Sequence, residues 1–247
     1  MSAMPRQHEG LHYMSLMSSL SKLRETQNYL EIGVQQGIHF SVIHANHAVA
    51  VDPGFLINQN IANNKNSVYM HNGTSDSFFR SQYANDAMKG RIDLAFLDGL
   101  HVFEFLLRDF FNTEALSATH GLIALHDCLP ITAAMAQRNE AEAHKMGADT
   151  HFPGAWTGDV WKVVSILKKF RKDLRVLCFS AAPTGLILIT NLDPTSTTLR
   201  DNYLDIVEEY AKIPNDQAAI EAFYDGIELL APEDAVRDFD HSLFFRV

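Results

Sequence analysis

Asn28-Tyr-Leu-Glu-Ile-Gly-Val-Gln-Gln-Gly37 and, after a short apolar helix, Ala48-Val-Ala-Val-Asp52 are the two stretches around which the chain reads. Tyr29, Leu30 and Ile32 form a short apolar run suited to a buried parallel strand, and Gly33 ends it where the backbone must turn or approach something closely. Gly37 then opens a helix whose first N–H groups have no internal partner and can receive a polar or anionic group. Asp52 closes the second apolar run, placing a carboxylate at a strand tip where it can accept two hydrogen bonds from a ribose diol. Strand, glycine turn, helix, strand and acid is the order of a nucleotide-binding βαβ unit. The three residues Val34, Gln35 and Gln36 between the glycines depart from the G-x-G-x-x-G dinucleotide pattern and argue against nicotinamide or flavin.

Composition narrows the classes. A chain of 247 residues with 47% hydrophobic content can bury a full core, and one domain is expected across residues 1–247. Within it we distinguish an N-terminal helical segment (1–27), a cofactor-binding core (28–190) and a C-terminal helical extension (191–247). The net charge of −10 argues against a nucleic-acid surface. Residues 199–247 hold 12 acids against 4 bases, so most of the excess lies in that extension, as a solvated helical face or an acidic partner surface. Cys128 and Cys178 each sit in or beside an apolar strand pattern and read as reduced and structural. The first residues lack the pattern of a signal peptide and no apolar run reaches spanning length, so a cytoplasmic protein without membrane contact is expected. A homo-oligomer would form through the N- or C-terminal helices.

Along the chain, Leu11 to Arg24 has helical spacing of Leu and Met. Residues 54–66 read as a polar connection with one short helix, and Ser67–His71 as a third strand. Ile92–Leu97 is a fourth strand ending in Asp98-Gly-Leu-His101. The helix after it buries Val102, Phe103, Leu106, Leu107, Phe110 and Phe111 and leaves Glu104, Arg108 and Asp109 more exposed. Gly121–Leu125 is a fifth strand ending in His126-Asp127-Cys128. Residues 131–147 read as an alanine-rich helix. Thr157 or Asp159 is expected to cap the helix carrying Val160, Trp161, Val163, Val164, Ile166 and Leu167. Leu174–Phe179 and Gly185–Thr190 are joined by a connection fit for a hairpin and too short for a crossover helix. Helices are expected over 198–211, 215–227 and 232–238. The fold class is therefore α/β, a Rossmann-like, mostly parallel seven-stranded sheet with helices on both faces and a terminal antiparallel β-hairpin.

The segment Glu31-Ile-Gly33-Val-Gln-Gln-Gly37 resembles motif I of the class I S-adenosylmethionine-dependent methyltransferases, and Asp52 matches the family's ribose-binding acid. The resemblance implies a cofactor site that includes Glu31, Gly33, Gly37 and Asp52. The turn Asn72-Gly-Thr-Ser-Asp76 falls where that family contacts adenine, which makes Thr74, Ser75 and Asp76 candidates by position; the same residues could simply cap the next helix.

Asp98, His101, His126 and Asp127 terminate two neighbouring strands, at the edge where open parallel sheets bind ligands. Asp98-Gly-Leu-His101-Val-Phe-Glu-Phe-Leu-Leu-Arg-Asp109 followed by His126-Asp127 resembles the small-molecule O-methyltransferase branch that includes macrocin-type sugar methyltransferases. That resemblance implies a divalent cation, Mg²⁺ or another metal, on the strand-end acids Asp98 and Asp127, with His126, which stands where those relatives usually have another acid, able to complete the site for a borderline metal; Asp98 would also lie near the cofactor, and the acceptor would be a hydroxyl on a small molecule. Methyl transfer is an in-line displacement, so the acceptor proton must be removed or made acidic. Neutral His101 could take it, with Asp98 and His126 as partners, or a cation on the strand-end acids could stabilise the alkoxide. Two other readings stay open: an NAD(P)-dependent oxidoreductase, against which the missing middle glycine counts, and a non-catalytic binding protein that keeps the fold. His39, His44 and His47 lack clean metal-ligand spacing, and the Trp156-to-Trp161 segment reads either as a lid over the acceptor pocket or as core and loop edge.

Overall fold

The computed structural model describes residues 7–81 and 84–237. Among these, eight strands form one mixed sheet: β1 (Asn28–Ile32), β2 (Ala45–Asp52), β3 (Lys65–Asn72), β4 (Ile92–Leu97), β5 (Ser117–His126), β6 (Arg175–Phe179), β7 (Leu186–Thr190) and β8 (Leu229–Leu230). Their order is β3-β2-β1-β4-β5-β7-β6-β8. The first five run parallel; β7 pairs antiparallel with both β5 and β6, and β8 adds a short parallel edge to β6. The sheet thus has one strand more than the seven expected, because the C-terminal extension returns to bond Ser180 N–H to Leu230 C=O and supplies β8.

The helices are α1 (Tyr13–Leu23), α2 (Ile38–Val42), α3 (Ser75–Arg80), α4 (Ala84–Met88), α5 (Phe103–Leu116), α6 (Glu140–Gly147), α7 (Lys162–Phe170), α8 (Thr198–Asp201), α9 (Tyr203–Ala211), α10 (Gln217–Asp225) and α11 (Asp234–Arg237). The alternation of the strands sends side chains to two apolar layers. One gathers Leu30, Val49, Val51, Leu97 and Ile123 with α5 and α7; the other gathers Tyr29, Ala48, Ala50, Phe96 and Ala124 with α1 and α2. Both faces of the central strands are therefore covered, the condition for an apolar parallel strand.

Several expected boundaries move. Residues 131–138 are turns rather than the first half of a helix, and α6 begins at Glu140 behind the Asn139 cap. Helix propensity loses there because Met135 C=O accepts the N–H groups of Thr157 and Gly158, and Gln137 C=O accepts the Trp156 indole N–H at 2.7 Å. Asp159 does not cap α7. Its buried carboxylate receives Phe103 N–H at 3.0 Å, at the start of α5, and is paired with Arg138 and Lys162. The connection after β2 holds turns and, among its described residues, no helix. The helix expected over 198–211 breaks at Asn202 into α8 and α9; residue 238, the last of the helix expected over 232–238, and residues 1–6 lie outside the described residues. Cys128 and Cys178 are free and buried. Among the described residues, no helix is long and apolar enough to cross a membrane.

Candidate active site

A cavity of about 770 Å³ opens at the C-terminal ends of β1, β2 and β4, lined among others by Gly33, Asp52, Thr74, Ser75, Asp76, Asp98 and His101. Its size suits a cofactor-sized ligand, and its position is the ligand edge of an open α/β sheet.

Gly33 is fixed by the fold. Its φ is +87°, and a Cβ there would lie 1.9 Å from Asp98 C=O, so only glycine lets the β1 loop settle on the end of β4. Gln35, with φ +44°, holds the loop's next turn, and its N–H donates to Asp52 Oδ2 at 2.8 Å. Gly54 N–H donates to the other oxygen at 2.7 Å. Asp52 therefore ties two loops together while bordering the cavity, and each oxygen keeps accepting capacity.

Two expected cofactor residues lie elsewhere. Glu31 is buried on the α1/α2 side, bonded to Tyr29 Oη and, at 2.9 Å, to His39 Nδ1, and does not line the cavity. The strand alternation puts it there, since its neighbours Leu30 and Ile32 take the other face. Gly37 has φ +78° and caps α2, but a side chain there would strike Ile61, at 2.6 Å from its Cγ2. Its freedom serves packing against the loop after β2. The adenine candidates are partly committed as well. Thr74 caps α3 through Ser77 N–H, and Asp76 is gripped by Arg108 at 3.0 and 2.7 Å, which holds its carboxyl below the usual range.

Beside the cavity the ends of β4 and β5 bring four groups together. His101 Nε2 lies 3.5 Å from Asp98 Oδ1 and 3.3 Å from Asp127 Oδ2. His126 Nδ1 lies 3.2 Å from the same Asp98 oxygen and 3.5 Å from the same Asp127 oxygen. Asp127 adopts φ +56°, a conformation that costs energy outside glycine. Burial opposes charge on both imidazoles, but the two acids outweigh it and raise both pKa values, His126 well above the ordinary range. Burial likewise opposes the Asp98 carboxylate, and His126 and His101 overcome it, holding Asp98 far below the usual carboxylate value.

The donor atoms of Asp98, His101 and Asp127 lie within 4.8 Å of one another, a set of two carboxylates and one imidazole that could hold a divalent ion. His126 was the histidine expected in that set; its other nitrogen faces Thr184 Oγ1 at 3.4 Å and Tyr13 packs on its ring at 4.1 Å. His101 Nδ1 is buried without a partner. The Trp156 ring packs tilted against His101 with centroids 4.7 Å apart, and Gly158, at φ +61°, lets its loop touch His101 C=O. Trp161 is core.

Sequence reasoning missed Arg80, Phe105, Asp109 and Glu140 in the cavity wall. Asp109, expected on the exposed side of α5, is 3% exposed. Its place was legible in one respect, because it stands three residues from Leu106 and four from Thr113, both buried on the same helix.

Residues 14–128 match a family model described as a methyltransferase domain. No curated protein matches the chain by sequence. Among solved structures, cofactor-bound Rv0187 from MTB is similar at 12% identity and a TM-score of 0.51, over 72% of this chain and 78% of that one. The O-methyltransferase TomG from Streptomyces achromogenes, solved with SAM, aligns at 15% identity and a TM-score of 0.47 over 72% and 78%. An O-methyltransferase from Bacillus cereus, solved with SAH, aligns at 13% identity and 0.45 over 72% and 79%. The matched segment runs from α1 to just past the end of β5 and contains the Gly33 loop, Asp52 and all four strand-end groups, and it is this part of the chain that is similar to a methyltransferase domain.

Proposed function

We propose that the protein uses S-adenosylmethionine to methylate a hydroxyl of a small molecule, a sugar or natural-product intermediate, with a divalent cation at the ends of β4 and β5. The observation that carries this reading is the convergence of Asp98, His101 and Asp127 within 4.8 Å at the side of the cavity that also holds Asp52. When bound, the cofactor supplies an electrophilic sulfonium methyl, and the cation supplies charge stabilisation for an ionising hydroxyl. Gly33 brings backbone close to the ligand, and Asp52 accepts from the ribose diol through lone pairs that Gln35 and Gly54 leave free. Asp98 and Asp127 are hard oxygen ligands, and His101 adds a nitrogen that suits Mn²⁺ or Zn²⁺ better than Mg²⁺. His126, wedged between both acids, Thr184 and Tyr13, orients the carboxylates. Trp156 walls the site beside His101 and helps exclude water.

The test is methyl transfer to a panel of sugar and phenolic hydroxyls, before and after exhaustive chelation and again after adding Mg²⁺, Mn²⁺ or Zn²⁺. Activity should vanish with the chelator and return with an ion. Full-rate transfer by the chelated protein would remove the cation from the scheme, and a protein that transfers methyl only to nitrogen would remove the hydroxyl.

A further inference from the structure

The part of the cavity next to α3 poses a chemical question. Thr74 accepts Ser77 N–H in capping α3 and Asp76 accepts two bonds from Arg108, so both side chains are held by the fold as well as bordering the cavity. Asp109 reaches the same wall from α5. It is 97% removed from solvent yet borders the cavity, is hydrogen-bonded to Ser75, and lies under Gly99, where a Cβ would come 3.5 Å from its Oδ2. A carboxyl has several hydrogen-bonding positions, and the Ser75 hydroxyl takes only one of them.

We propose that Asp109, oriented by Ser75, reads the adenine edge of the cofactor as a carboxylic acid, its O–H donating to a ring nitrogen and its C=O accepting from the amino group. This rests on the S-adenosylmethionine reading above and adds to it the group that selects the base. An ionised carboxylate could not play the part, because it would set its lone pairs against that of the ring nitrogen. Burial raises the Asp109 pKa to about 7 against the Ser75 hydrogen bond, which lowers it; the charged groups acting on it are Asp76 from α3, which raises it further, and Arg108 from its own helix, which lowers it. The acid form is thus available at neutral pH. Asp109→Asn keeps one donor and one acceptor in the same place and removes the titration.

The experiment is calorimetric binding of S-adenosylhomocysteine and its inosine counterpart, in which a carbonyl replaces the amino group, to the wild type, Asp109→Asn and Asp109→Leu between pH 6 and 8.5. The wild type should favour the adenine form by about tenfold or more at pH 6.5 and lose affinity for it by up to about tenfold per unit above pH 7. Asp109→Asn should bind the adenine form with no such slope. Asp109→Leu, checked by circular dichroism for an intact fold, should bind at least about tenfold more weakly and lose the base preference. Unchanged affinity and preference in Asp109→Leu would overturn the proposal, and so would a wild-type slope that persists in Asp109→Asn. A wild type that binds neither compound would overturn the cofactor reading itself, and this inference with it.

Discussion

The two ends of β5 carry opposite kinds of ionic cluster. Just before its start, Arg171 from the end of α7 grips Glu114 from α5 in a bidentate pair at 2.6 and 2.8 Å, and Asp193 N–H and Asp173 complete the set. Just past its end, Asp98, His101, His126 and Asp127 meet at 3.2 to 3.5 Å, with one imidazole nitrogen left unpartnered. The first is short, geometrically matched and closed, as a pair that only has to survive burial must be. In the second the contacts are longer and the acids share their partners, as the proposed exchange of protons for a cation requires. The two edges of the sheet thus differ in how fully their ionic groups are satisfied and in how deeply they are buried, and under the proposed function the more open one serves chemistry.

The largest expected effect falls on the open cluster. Asp98→Asn and Asp127→Asn, which keep shape and remove charge, should lower kcat/KM for methyl transfer by about 10³ or more while urea midpoints stay near the wild type's. A loss of stability as large as the loss of rate would make the two ends of β5 alike. At the closed end the reverse is expected. Arg171→Met leaves Glu114 buried and unpaired and should cost about 3 to 5 kcal/mol in urea denaturation, with the folded fraction binding S-adenosylhomocysteine as before.

Asp109 supplies an intermediate case, a buried acid without a basic partner of its own. Its pKa of about 7 in the folded protein lies above its unfolded value, so the native state binds more protons and stability falls as pH rises from the unfolded pKa to about 7. Asp109→Asn should therefore stabilise the unliganded protein at pH 8 by about 2 to 4 kcal/mol and do little at pH 3.5. Equal effects at both pH values would show that the carboxyl is not held protonated. The smallest effect concerns Asp52, whose oxygens hold two loops at the wall of the cavity. Asp52→Ala should weaken S-adenosylhomocysteine binding by about 1.5 to 3 kcal/mol, read by calorimetry.

These differences bear on what a sequence reveals. The βαβ unit was legible because Gly33 and Asp52 are imposed locally, one by a positive φ at a strand end and the other by its place at a strand tip. The approach of Asp98 to Asp127 followed from strand order, since β4 and β5 are neighbours. Glu31 and Gly37 sit in the same motif but do not line the cavity, because strand alternation turns one away and close packing on Ile61 occupies the other. The turns at 131–138 could not be read from alanine content, as hydrogen bonds from residues 156–158 impose them. Nor could the Arg171–Glu114 pair, which joins residues 57 positions apart in the sequence.

The central claim is that the cluster past β5 is a cation site and not a second closed ionic pair. Titrating Mn²⁺ into the metal-free protein saturated with S-adenosylhomocysteine, and following it by electron paramagnetic resonance, tests this most directly. The account predicts about one bound ion per chain in the wild type and loss of that site in Asp98→Asn, with the closed pair at Glu114 contributing none. Absence of binding in the wild type, or a bound ion that Asp98→Asn and Asp127→Asn leave in place, would contradict it.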